Sequence, residues 1–185
     1  MAIVTFSEQE RIRREALQEL KKLGINPYPA EPFEINTSAK EIIEKFSFEP
    51  NLFKDVKIAG RIMNRRIMGA ASFAELQDSS GKIQLYFKRD DICPGEDKTL
   101  YNIIFKKLLD IGDIIGINGY VFKTHLGEIT IYVKNLKLLS KSLRVLPIVK
   151  EKDNVTYDAF SDPEQRYRQR YVDLIVNPHV KEVFI

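Results

Sequence analysis

The side chains with chemical reach gather between positions 57 and 89. Seven basic residues (Lys57, Arg61, Arg65, Arg66, Lys82, Lys88, Arg89) stand there against two acidic ones (Glu75, Asp78). The remaining 22 basic and 24 acidic residues nearly cancel, so a net charge of only +3 conceals a local concentration of positive potential. Within that stretch runs RRIMGAASFAELQDSSGKIQLYF, residues 65–87. Strand alternation sends Ala74 and Leu76 to one face and Phe73, Glu75 and Gln77 to the other. In the next run Ile83, Leu85 and Phe87 share a face, and Lys82, Gln84 and Tyr86 oppose them. Both apolar sets must enter one core, so facing residue numbers across Ser79-Ser80-Gly81 must sum to an odd value. Either Gln77 or Glu75 then faces Gln84, and in both registers Phe73 and Gln84 share the outer face. A later run turns Ile129, Ile131 and Val133 inward and leaves Glu128, Thr130 and Tyr132 outside, with His125 in the turn before it. An outward ring with amide and carboxylate neighbours, and Arg61, Arg65 and Arg66 on the adjoining strand, has the parts to bind single-stranded nucleic acid. Stacking on the ring supplies about 1 to 3 kcal/mol per base with little regard to sequence. Discrimination falls to the Gln and Glu hydrogen bonds, and the arginines hold phosphates.

Other chemistries find no support in the residues. Nothing offers a phosphate-cradling glycine loop, a paired-carboxylate site or a nucleophile with its base. A single cysteine, Cys93, excludes an internal disulfide, and with only His125 and His179 beside it there is no ligand set at zinc spacing. Cys93-Pro94 reads as a turn. No catalytic residue, metal ligand or bound cofactor is therefore expected. Apolar runs are short, and MAIVTFSEQERIRRE lacks the apolar centre of a secretory signal, so the expected setting is the cytoplasm, away from membranes.

A sheet must hold these groups in place. From 55 to 140 the apolar period is two, predicting strands at 56–67, 71–78, 82–89, 113–123 and 128–139. One helix interrupts them at 98–109, with Leu100, Ile103, Ile104 and Leu108 on one side and Gly112 closing it. Five strands with a helix after the third predict a mainly β chain built on an OB-fold barrel, whose strand 2 and 3 face binds oligonucleotides. A small sandwich is the competing architecture, but it leaves that helix unexplained. Upstream, Ser7 and Glu10 form a capping box for a helix with the stripe Ile12, Ala16, Leu20 and Leu23. Gly24 ends it, and Arg11, Arg13, Arg14, Lys21 and Lys22 make the rest of its surface basic. Prolines 27, 29 and 32 mark an extended linker, and a short helix at 38–46 turns Ile42, Ile43 and Phe46 inward. Downstream, Asp162 caps a helix with Pro163 in its first turn and Tyr167, Tyr171 and Leu174 along one face. Asn177-Pro178 repeats the start signal, and exposed Val180, Val183 and Phe184 are expected before Ile185, as though a further domain opens there.

Taken together, GRIMNRRIMGAASFAELQD and DPEQRYRQRYVDLIVNP resemble the class II lysyl-tRNA synthetases, over nearly the whole chain. The first is similar to the opening strands of that family's anticodon-binding OB domain, the second to its junction with the catalytic domain. The resemblance implies an N-terminal helical extension (1–54), an anticodon-binding barrel (55–145), and a linker with the start of an α+β catalytic domain (146–185). It implies that Phe73 stacks on the central anticodon uridine, Gln84 bonds its edge, Arg65 or Arg66 assists, and Glu128 reads an adjacent uridine. It also implies that the intact enzyme is a homodimer that activates lysine with ATP and Mg²⁺ and charges tRNA(Lys). This stretch would hold neither ATP nor Mg²⁺ and would only bind the anticodon loop. The rival readings are a general single-stranded nucleic-acid-binding OB module and a protein-interaction scaffold.

Overall fold

The computed structural model describes residues 6–147, 150–152, 155–157 and 160–184, which fall into two compact units, Met1–Arg144 and Val145–Ile185. In the first unit, helix α1 (Glu8–Lys22) opens with the expected reciprocal cap: the Ser7 hydroxyl accepts from the Glu10 backbone N–H, and the Glu10 carboxylate accepts from that of Ser7. Its buried face consists of Arg13, Ala16, Leu17 and Leu20, whereas Ile12 and Leu23 stay nearly half exposed. The expected stripe is thus rotated, and Arg13 leaves the basic surface. The cause is polar: the two terminal nitrogens of the Arg13 guanidinium donate to the carbonyls of Ile111 (2.9 Å), Ser142 (3.2 Å) and Arg144 (3.1 Å), which offsets much of the cost of burying the charge. Helix α2 (Ala39–Lys45) buries Ile42 and Phe46 but leaves Ile43 outside, again correcting the expected face.

The strands are β1 (Val56–Met68), β2 (Ala71–Gln77), β3 (Lys82–Lys88), β4 (Ile114–Lys123) and β5 (Ile129–Ser140). They close into a barrel in the order β1-β2-β3-β5-β4, with a parallel β3–β5 seam running from Gln84↔Thr130 to Phe87↔Val133. This is the OB-fold expected from the spacing of strands and helix. The β2–β3 hairpin takes the register Glu75↔Gln84 across a four-residue loop, the second of the two allowed solutions. Asp78 builds that loop by accepting at one oxygen from the Ser80 and Gly81 N–H groups, while its other oxygen caps α2 at Ala39.

Ile62, Leu76, Leu85, Phe87, Ile115, Ile117 and Ile131 fill the barrel. A single helical turn, α3 (Arg89–Ile92), follows β3, and Cys93 lies buried at its end. The inserted helix, Leu100–Leu108, has wide turns of the π type and plugs one mouth of the barrel. It does so with Tyr101, Ile104, Phe105 and Leu108 rather than the expected Leu100 and Ile103, which are only partly buried. Phe105 stacks on Phe87 at 4.1 Å, which draws the helix in over the core. Near the same mouth the buried Lys141 ammonium meets Asp110 (2.5 Å) and Asp113 (2.9 Å). Elsewhere β4 and β5 approach so closely that a Cβ on Gly119 would lie 1.9 Å from the Tyr132 carbonyl oxygen. Glycine is required there because no side chain fits between the two backbones.

In the second unit, a hairpin of β6 (Lys150–Lys152) and β7 (Val155–Tyr157) precedes α4 (Pro163–Arg168), α5 (Arg170–Val176) and α6 (Pro178–Phe184). Asp162 caps α4 by accepting from the Glu164 and Gln165 N–H groups. The buried Asp173 carboxylate gathers Arg166, Arg170 and Asn177, tying α4 to α5 and to the junction that leads into α6. Val180 is buried, contrary to expectation, while Val183 and Phe184 are exposed; Ile185 lies outside the described residues. No helix among the described residues is long and apolar enough to cross a membrane, and none of their His, Cys, Asp and Glu groups could hold a metal ion.

Candidate nucleic-acid interface

Strands β1, β2 and β3 and the β4–β5 turn surround a cleft of about 450 Å³ on the outer barrel wall. Phe73, Gln84, Glu128, Arg65 and Arg66 all line it, so five of the six residues picked from the sequence border one place. Arg61 stands apart. Its guanidinium donates to the Gly112 carbonyl at 2.7 Å, and burial pulls its pKa below the ordinary arginine value.

Phe73 is half buried because its flank rests on Tyr86, the residue it faces across the hairpin, with ring centres 5.1 Å apart. The two arginines beside it divide by strand parity. Arg66 faces Phe73 across β1–β2 and is exposed, whereas Arg65 faces Ala74, whose side chain is in the core. Arg65 reaches the plugging helix, where it donates to the carbonyls of Phe105 (2.5 Å) and Leu109 (2.6 Å). Those carbonyls sit at the helix end, and a cation is what their uncompensated dipoles favour. Burial lowers the Arg65 pKa as well, with Asp110 and Asp113 opposing it. Arg66 makes no ion pair among the described residues, leaving its charge directed to the cleft rim.

Gln84 is held at both ends. Its amide N–H donates to the Glu128 carboxylate at 2.6 Å, and its carbonyl accepts from the Thr130 hydroxyl at 3.0 Å. The parallel seam sets this up by placing Thr130 directly opposite Gln84. Thr130 was expected to be outside. It points outward but is wholly covered, because Gln84 lies over it. With one donor and one acceptor position engaged, the amide orientation is fixed, and one N–H and one carbonyl lone pair remain for a ligand. Lys82 pairs with Glu75 at 2.9 Å on the same wall.

Several residues of this surface do not follow from the sequence reading. Leu126, 96% exposed at the tip of the β4–β5 turn, joins the lining. The turn is set by Gly127 with φ of 85° and by Thr124, whose hydroxyl accepts from the Glu128 N–H. Beyond Tyr86 and Tyr132, both expected outside, the rings of Phe122 and Tyr120 continue across the sheet. Alternation in β4 carried a signal for them, since Ile115, Ile117 and Val121 inward leave Tyr120 and Phe122 outward. His125 is exposed in the turn and is not among the cleft residues. The arrangement can stack one flat ring on Phe73, pair its edge with Gln84, and hold an anion at Arg66.

Residues 56–139 match the family of the OB-fold nucleic acid binding domain, in its tRNA anti-codon form. The whole chain is 57% identical to a lysine–tRNA ligase of Porphyromonas gingivalis, covering 32% of that protein. Similar matches are to the lysine–tRNA ligases of Christiangramia forsetii (59% identical over 97% of this chain and 31% of that protein) and Azobacteroides pseudotrichonymphae (60% over 97% and 36%). The chain thus spans about a third of the length of the curated relatives it matches.

Proposed function

We propose that this chain, an OB-fold nucleic-acid-binding barrel with lysine–tRNA ligase relatives along its whole length, is the anticodon-reading part of a lysine–tRNA ligase. The observation that carries the reading is the meeting of Phe73, Gln84, Glu128 and Arg66 around one cleft on the barrel wall. Anticodon bases turned out of their own stack need a ring to lie on, a fixed amide to test an edge, and a cation for the backbone. In this reading Phe73 stacks the central uridine, Gln84 pairs with its edge, and Glu128 orients Gln84 and contacts the neighbouring uridine. Arg66 holds phosphate. Arg65 and Arg61 hold the β1 wall through backbone carbonyls of the plug and of Gly112, and act on the RNA through that wall.

The whole ligase would join lysine to ATP with Mg²⁺, pass the lysine to tRNA(Lys), and work as a cytoplasmic homodimer; residues 1–185 would contribute binding without catalysis. A second reading, a general single-strand binder, is favoured by the row of rings beyond Phe73, because stacking tolerates any base. The deciding experiment measures binding of the chain to a lysine anticodon stem-loop and to the same stem-loop with its central uridine replaced by cytidine. The ligase reading expects clear preference for uridine, and equal affinities would leave the general binder. Lysine-dependent ATP–pyrophosphate exchange by the chain alone would overturn the non-catalytic assignment.

A further inference from the structure

At the far end of the ring row lies a second cleft, of about 600 Å³, lined by Tyr120, Tyr132, Lys134, Asn135, Asp90 and Asp91 among others. Tyr120 and Tyr132 stack almost flat, with ring centres 4.9 Å apart and planes 10° from parallel, and both are half buried. A bulge in the β4–β5 ladder opposes Asn118 to Asn135 and Gly119 to Val133, so Lys134 is the extra residue. Lys134 and Asn135 are therefore both exposed, although strict alternation would turn one of them away. The Lys134 ammonium lies over the Tyr120 ring, 5.3 Å from its centre. The carboxylates do not make this an acidic pocket. Asp90 is bridged by Arg89 and Lys98, and Asp91 accepts from the Tyr132 hydroxyl and pairs with Lys88. What the cleft offers is a flat aromatic pair, an exposed lysine whose cation overlies the Tyr120 ring and can swing from it to a phosphate, and a carboxamide.

Those are the groups that take a nucleobase and its phosphate, and the site is continuous with the first cleft. Tyr86 lies 5.1 Å from Phe73 and 5.2 Å from Tyr132, ring centre to ring centre. We propose that Tyr120, Lys134 and Asn135 form a second stacking subsite, which takes a base of the same single strand that lies outside the triplet read at Phe73. This rests on the anticodon reading above. Tyr120 supplies the stacking face, Lys134 holds the phosphate of that nucleotide, and Asn135 bonds its base edge.

The test is fluorescence anisotropy of the whole chain with two labelled RNAs, the anticodon stem-loop and a three-uridine oligonucleotide. Tyr120→Ala should weaken stem-loop binding about 5- to 150-fold, the loss of one stacked base, and change the three-uridine affinity less than about twofold. Tyr120→Phe should restore stem-loop binding. Lys134→Ala, at an exposed position that burdens folding little, should lower the salt slope of stem-loop binding by about one. If Phe73→Ala weakens the stem-loop while Tyr120→Ala and Lys134→Ala leave it unchanged, the second subsite is refuted and the first stands. Equal weakening of both RNAs by Tyr120→Ala also refutes it, because the ring then serves only the first cleft. Silence of all three variants would remove the anticodon reading and this inference with it.

Discussion

Replacing Glu128 with alanine should change which base the cleft prefers more than how tightly it binds. The Gln84 amide can sit in two orientations that differ by exchange of its oxygen and nitrogen. The observed one places N–H against the Glu128 carboxylate at 2.6 Å and oxygen against the Thr130 hydroxyl at 3.0 Å. A uracil edge offers an acceptor beside a donor, and a cytosine edge offers the reverse, so exchanging the amide exchanges the base it suits. Thr130 tolerates either orientation, because a hydroxyl both donates and accepts. Glu128 tolerates one, because a carboxylate only accepts. The lock is therefore the bond to Glu128, and a hydrogen bond to a charged group contributes about 1.5 to 3 kcal/mol. Partial exposure of the pair favours the lower figure, or about a tenfold shift. Binding of Glu128→Ala to stem-loops with uridine or cytidine at the central position should show their affinity ratio falling about tenfold. The stacking on Phe73 common to both persists. Any loss of a Glu128 contact to a neighbouring base cancels in that ratio. An unchanged ratio would show that Gln84 is oriented by something else, and the argument for Glu128 as its lock would fail.

Phe73→Ala should cost about 1 to 3 kcal/mol of stem-loop affinity by titration, with the chain still folded by circular dichroism. The neighbouring arginines should separate cleanly. Arg66→Ala should lower the salt slope of binding by about one and leave Tm in place. Arg65→Ala should lower Tm by several degrees, since two charged hydrogen bonds to the Phe105 and Leu109 carbonyls disappear. Asp113→Ala strips a partner from the buried Lys141 ammonium and should destabilise by about 3 kcal/mol, with Asp113→Ala/Lys141→Met recovering part of it in denaturant melts. Hydrogen bonds from Arg89 and Lys98 hold the Asp90 carboxyl at about 2, below its ordinary 3.8. Its stabilising effect is thus present above pH 3.8 and lost as the pH falls through about 2. The Tm advantage over Asp90→Asn should fade along that path.

The barrel was legible because alternation leaves little choice: Ala74, Leu76, Ile83 and Leu85 must point one way, and that alone brings Phe73 and Gln84 to the same wall. The choice between two hairpin registers was not, since parity allows both and Asp78 decides it through bonds to Ser80, Gly81 and α2. The face of α1 was misread for a related reason. An arginine counts as surface by type, yet three loop carbonyls distant in sequence offer Arg13 a buried seat. Pattern reasoning likewise brought Arg61, Arg65 and Arg66 together, while the β1–β2 pairing turns Arg65 toward the Ala74 side and the Gly112 carbonyl draws Arg61 away from the cleft.

The lack of a side chain at Gly119 has a reach well beyond its own strand. One added carbon would press into the Tyr132 carbonyl, forcing β4 from β5 and parting the two tyrosines that ride on them. A methyl group hidden beneath the sheet would thus damage a surface it never touches. Such a lesion could leave the triplet still read at one end while the strand loses its footing at the other.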